Sequence, residues 1–183
     1  MAKRREHMTA EYYGKLHSES SGYKENNWLM PEVDNVLSCQ PKSLLEIGFG
    51  NGRFLTEAAK RVDRVIGVDW AASPVAKGMP ANVELIIADV TRHPLPSVDL
   101  ICSADVLEHF APDAVDGVLA SIHIAAQHNF HVIACYDDGH SHLSIFPPEV
   151  WLAKFRSLSA DYRLVRSEVR GRKKGTICVI ANY

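Results

Sequence analysis

From Ser43 onward, short apolar runs alternate with longer segments of helical period, the pattern of strand and helix units that build a mostly parallel sheet. The runs predict strands at Ser43–Ile47, Arg64–Val68, Val83–Ala88, Asp99–Ser103 and Phe130–Tyr136. Leu44-Leu45-Glu46-Ile47 and Leu85-Ile86-Ile87-Ala88 are nearly unbroken, as expected of strands covered on both faces. Between the first two strands Phe54, Leu55, Ala58, Ala59 and Val62 recur at helical spacing, with Lys60 and Arg61 where a last turn favours cations. A second crossover helix is predicted over Pro112–Gln127, with Val115, Val118, Leu119, Ile122 and Ala126 as its buried stripe. Asp89–Val98 carries too much proline for a helix of any length, so one crossover is abbreviated. A helix then opens near Pro147-Pro148-Glu149. Two further strands, Tyr162–Val169 and Thr176–Ala181, are joined by the short turn Arg170–Gly175, which allows only antiparallel pairing. The expected fold is α/β: five parallel strands followed by an antiparallel C-terminal hairpin.

Composition sharpens this picture only a little. With 183 residues, 46% apolar and 23% charged, the chain suits one globular domain able to bury a core without disulfide or metal staples. We divide it into an N-terminal extension, residues 1–42, and a sheet domain, residues 43–183. A net charge of -2 excludes a globally basic nucleic-acid binder. Cys39, Cys102, Cys135 and Cys178 form no CxxC pair and read as reduced thiols, which points to the cytoplasm. Neither a signal-peptide apolar core nor a membrane-spanning run is expected.

The chemistry begins at Glu46-Ile47-Gly48-Phe49-Gly50-Asn51-Gly52-Arg53, a buried strand running through a glycine-dense turn into a helix. Glycines admit close backbone approach, and the helix start offers unpaired N–H groups to a ligand. The dinucleotide fingerprint would place glycine or alanine at position 53, where Arg53 stands, and Glu46 would repel a pyrophosphate. A ligand with a cationic head is favoured instead, and S-adenosylmethionine is the candidate. Asp69 ends the second strand at the spacing of a ribose-binding acid. Asp89 ends the third, where it can meet an adenine amino group, and Trp70 offers an aromatic face.

Four elements together, Glu46–Gly52, Val68-Asp69, Ala88-Asp89-Val90 and Ser103-Ala104-Asp105-Val106-Leu107-Glu108-His109, give a chain that resembles a class I S-adenosylmethionine-dependent methyltransferase over residues 43–136. The resemblance implies a Rossmann-like sandwich and S-adenosylmethionine as cofactor, with S-adenosylhomocysteine as product. It implies that Glu46 and the loop Gly48, Phe49, Gly50 and Gly52 hold the methionine end, Asp69 the ribose, and Asp89 with Val90 the adenine, beside Trp70. Ser103, Ala104 and Asp105 would line the floor beneath the sulfonium. Phe49, where a small residue is frequent, and the short crossover after Asp89 depart from the family pattern.

Methyl transfer is a direct displacement and needs no protein nucleophile. A hydroxyl acceptor benefits from a general base, and His109, just after the fourth strand, is the first candidate, with Asp105 and His140 beside it as catalytic candidates. Tyr23, Asn26, Asn27 and Trp28 of the extension read as a lid over the acceptor, and Glu108 and His142 as further acceptor contacts. Asp105, Glu108, His109, His140 and His142 include metal-ligand types that could converge, but no metal is assigned. His7, His17, His93, His123, His128 and His131 are read as surface or packing residues. The missing Pro-Cys pair disfavours cytosine methylation, and Arg170–Lys174 is read as a solvated basic hairpin tip. Tyr23–Leu29 and Asp137–Leu143 also resemble small bacterial methyltransferases of surface polysaccharide, including enzymes that O-methylate the acidic sugar Kdo. That implies a small-molecule or glycan acceptor rather than nucleic acid, with Arg53, Lys24 or Arg92 available to an anionic sugar. The alternatives are a non-catalytic S-adenosylmethionine-binding partner protein and a methyltransferase of RNA or protein.

Overall fold

The computed structural model describes residues 8–74, 76–170 and 175–183. His7 and most of the basic hairpin tip, residues 171–174, lie outside them. Helices α1 (Ala10–Glu19), α2 (Ser21–Glu25) and α3 (Val33–Val36) precede the sheet, with single turns of 3-10 helix at Met30–Glu32 and Leu37–Cys39. The remaining order is β1 (Ser43–Ile47), α4 (Arg53–Ala58), β2 (Arg64–Asp69), β3 (Val83–Ile87), β4 (Val98–Ala104), α5 (Pro112–Ala125), β5 (Ala126–Ala134), α6 (Pro148–Arg156), β6 (Arg163–Arg170) and β7 (Gly175–Ala181). The seven strands form one sheet in the order β3-β2-β1-β4-β5-β7-β6. β1 to β5 pair in parallel, while β7 slots antiparallel between β5 and β6. The fold is therefore the expected α/β, Rossmann-like sandwich with a C-terminal antiparallel hairpin. No helix among the described residues is long and apolar enough to cross a membrane.

The unbroken apolar runs are explained by the pleat, which sends neighbouring side chains to opposite faces. Leu45, Ile47, Ile66, Val68, Ile101 and Ile133 join α5 and α6 in one layer, through Val115, Leu119, Ile122, Trp151 and Phe155. Leu44, Val65, Leu100, Cys102 and Val132 face the other, against Val36, Phe54, Leu55 and Ala58. The N-terminal turns are tied across the sheet by the Arg166 fork on Glu32 and by the Tyr183 hydroxyl, which donates to Val36 O at 2.7 Å.

Two predicted boundaries are corrected. The first crossover helix stops at Ala58, short of Lys60 and Arg61, because the Asn82 amide captures the carbonyls of Ala59 and Val62 at 3.0 and 2.9 Å. Helix α5 stops at Ala125 rather than Gln127, and the next residue already pairs as strand with Val98, so β5 runs Ala126–Ala134 rather than Phe130–Tyr136. As expected, residues 89–97 hold no helix.

Candidate functional site

A cavity of about 740 Å³ opens above the C-terminal edges of the parallel strands, between them and the N-terminal helices, where ligands of open α/β sheets bind. One end is built by the glycine loop. Gly48 closes against the sheet, its N–H donating to Val68 O at 2.7 Å, and a Cβ there would come within 2.3 Å of the Val106 side chain. Gly50 takes φ +52 and faces open space, so the cavity reaches its backbone. Glu46 is buried in the cavity wall, and its Oε2 has no partner. Burial pushes its carboxyl pKa up, against a hydrogen bond with Asn27. Asp69 accepts from Gly50 N at 2.9 Å and Ala71 N at 3.1 Å, and burial raises its pKa too. Trp70, Asp89 and Val90 continue the wall. Asp89 Oδ1 folds onto Thr91, accepting from its N–H and hydroxyl at 2.9 and 2.7 Å.

The other end is assembled from distant segments. Tyr13 on α1 and His109 in the turn after β4 meet through Oη and Nδ1 at 3.1 Å. Burial, aided by His142, drives the His109 pKa down to about 4, so the ring is neutral at physiological pH. Burial raises the Tyr13 phenol, which stays protonated. The His142 ring stands edge-on to His109 at 4.9 Å, its Nδ1 held by Tyr136 O at 2.6 Å. Asp138 organises this loop. Its Oδ1 accepts the backbone N–H groups of His140, Ser141 and His142 at 2.9, 2.8 and 3.0 Å, and its Oδ2 takes the Ser141 hydroxyl. Burial opposes its charge, but these bonds hold the carboxyl well below its usual range. Asp105 sits in the wall at φ +53, ion-paired through Oδ2 to Arg170, whose guanidinium lies 4.1 Å over the Trp28 ring. Its Oδ1 is buried without a partner. Its pKa is raised by burial, against the Arg170 charge.

The N-terminal segment is fastened to the glycine loop by Asn51, whose amide donates to the carbonyls of Tyr23, Lys24 and Asn26 at 3.3, 3.2 and 2.8 Å. Tyr23, Asn26, Asn27 and Trp28 all line the cavity, as do Phe49, Ala104, His140 and His142. The Tyr23 phenol is pushed up to about 12 by burial and by neighbouring Tyr12. The Phe49 ring nevertheless turns into the core against Gly67, which is why a large residue fits the loop.

Three expected contacts do not reach the cavity. Gly52 caps α4 beneath the Met79 side chain. Ser103 is fully buried, its hydroxyl 2.8 Å from Nδ1 of His131, because the pleat points it away from the face that Ala104 presents. Glu108 is also fully buried and accepts from Ala134 N at 3.2 Å behind His142. Asp138 lines the cavity too, within the loop expected at the acceptor, whereas Tyr13, His17 and Tyr136 line it beyond the expected set. The i, i+4 spacing of Tyr13 and His17 on one helix face was the available signal.

The buried, unpartnered Glu46 oxygen beside the open backbone of Gly50 fits an ammonium group, and the cavity continues past Asp69 to Trp70, as S-adenosylmethionine requires. Residues 44–129, just under half of the chain, match the family model described as a methyltransferase domain. Among curated proteins, phosphoethanolamine N-methyltransferase 1 of Zea mays is 36% identical over 96 residues, 47% of this chain. That stretch spans about a fifth, 19%, of the maize protein. The Burkholderia thailandensis 1,6-didemethyltoxoflavin-N1-methyltransferase, solved with its substrate and S-adenosylhomocysteine, superposes with TM-score 0.74 at 18% identity, covering 99% of this chain and 89% of that one. The N-methyltransferase NodS of Bradyrhizobium japonicum with S-adenosylhomocysteine gives 0.70 at 15% identity, over 94% and 97%.

Proposed function

We propose that this protein methylates a nitrogen of a small polar molecule at the expense of S-adenosylmethionine. The observation that carries the reading is the unpartnered Oδ1 of Asp105, buried in the wall of the cavity that also holds the neutral Tyr13–His109 pair. A buried carboxylate oxygen without a donor asks for an N–H. With one N–H accepted by Asp105, an uncharged amine keeps its lone pair for bond formation. His109, neutral at working pH, can then receive the proton the nitrogen sheds. Bound S-adenosylmethionine supplies an electrophilic methyl for direct displacement. Glu46, Gly48, Gly50, Asp69, Trp70, Asp89 and Val90 are the residues to hold it. Residues 13–28 act as the cover that excludes water. The N-methyltransferases among the similar proteins support a nitrogen acceptor. The four free cysteines support a reducing, cytoplasmic setting.

A sugar hydroxyl is the second reading, supported by His109, which serves an O–H as well as an N–H. Of the three cations available to an anionic sugar, Arg92 lines the cavity, but Lys24 and Arg53 do not, and Arg53 donates to Glu25 O. The test is a methyl-transfer screen of primary amines, phosphoethanolamine included, against sugars and nucleotide sugars, scored by product mass. Methylated amines with equimolar S-adenosylhomocysteine are expected, and Asp105→Asn should suppress them. Methylation of sugars alone overturns the nitrogen assignment. Cofactor binding without transfer to any acceptor leaves a non-catalytic binder.

A further inference from the structure

Cys135 and Cys178 stand on neighbouring chain segments with their sulfurs 3.5 Å apart. The register pairs Ile133 with Cys178, so residue 135, two further along, presents its side chain to the same face of the sheet. Both thiols accordingly meet the layer built by α5 and α6. Cys39 and Cys102 belong to the opposite layer. A disulfide bond of about 2.05 Å needs the two sulfurs to close by roughly 1.5 Å. Cys135 lies just beyond the end of β5 and is half-buried, which gives it room to move and exposure to a small oxidant. The sulfur–sulfur contact lowers the Cys135 pKa and, with burial, raises that of Cys178, so the more reachable sulfur is also the readier nucleophile.

We propose that Cys135 and Cys178 form a redox modification site, which a peroxide converts to an internal disulfide that reshapes the acceptor end of the cavity. The Cys135 thiolate attacks a peroxide oxygen and the O–O bond breaks, leaving a sulfenic acid and, after protonation, one water. Cys178 sulfur then attacks the sulfenic sulfur. Its proton leaves with the displaced hydroxide as a second water. Two thiols lose two electrons in all, and one hydrogen peroxide becomes two waters.

The pair is one residue away from the cavity. Cys135 N donates to Thr176 O at 2.8 Å, fixing the start of Tyr136. The Tyr136 ring presses on Gly175 so closely that a Cβ there would lie 2.3 Å from it. Tyr136 O in turn holds His142 Nδ1. Drawing Cys135 toward Cys178 therefore moves Tyr136 and His142, whereas the glycine loop lies two strands away on β1. This last consequence rests on the acceptor reading above, but the covalent step does not.

The test treats the full-length protein with one equivalent of hydrogen peroxide, blocks the remaining thiols, and reads intact mass and peptide links. A loss of two hydrogens, a fall from four titratable thiols to two, a Cys135–Cys178 peptide and reversal by dithiothreitol are expected. Cys178→Ser should halt at a Cys135 sulfenic acid, which dimedone captures. S-adenosylhomocysteine affinity should stay within about twofold on oxidation, while acceptor turnover falls. Four surviving thiols, over-oxidised Cys135 without a link, or dimers joined through Cys39 overturn the proposal, whether or not methyl transfer is found. Intact Cys135–Cys178 linkage with unchanged acceptor turnover overturns its reshaping of the cavity.

Discussion

The two ends of the cavity are made differently. At the cofactor end the groups sit on consecutive strand ends of one sheet, Glu46 on β1, Asp69 on β2 and Asp89 just past β3, held by backbone geometry. At the acceptor end Tyr13 and His109 are 96 residues apart and meet only because α1 lies over the sheet edge. The sheet provides a half held by strand pairing and backbone geometry. The loops and N-terminal helices provide a half that can change without disturbing it.

That division predicts that substitutions separate cleanly. The largest effect is expected from His109→Gln, which should lower kcat by about 10²–10⁴-fold while calorimetry finds cofactor affinity unchanged. Equal loss of affinity would mean that the ends are not independent. Asp69→Ala should do the reverse, removing two charge-assisted contacts and weakening S-adenosylhomocysteine binding by about 3 kcal/mol, roughly 100-fold.

The core beneath both ends should respond to acid. His131 and His109 are held by burial at about 3 and about 4, below the unfolded value of about 6.5. A folded-state pKa below the unfolded one stabilises the neutral-pH fold, and that stability is lost as pH falls from about 6.5 toward 4. Melting temperature should therefore drop between neutral pH and pH ~4.5. Burial-raised Glu46 and Glu108 push the other way, so the quantity to read is the shallower slope of His131→Gln relative to the parent. An identical slope would remove His131 from the account. The smallest expected effect is that of Tyr13→Phe, about a tenfold loss of kcat from one hydrogen bond, with His109 still neutral.

The same division decided what could be read in the sequence. Strand positions were legible to within a residue or two wherever both faces are buried, as at Ser43–Ile47, because neighbouring apolar residues serve opposite layers. The start of β5 was not, since Ala126 to Asn129 carries no apolar run and the strand there is set by pairing with β4. Glu46, Gly50 and Asp69 were legible because loop and strand order place them together whatever the rest of the chain does. Tyr13 was not, because nothing in a polar helix reports which residue 96 positions away it will meet. Ser103, expected in the cavity floor, is turned by the pleat onto His131 instead. His17, expected as a surface or packing residue, lines the cavity with an unpartnered Nδ1.

Asn51 joins the two halves, since its single amide grips three carbonyls of the segment that covers the cavity. The covering segment and the glycine loop are therefore not independent parts: a change at residue 51 would release the cover from three carbonyls at once and be felt on both sides of the cavity.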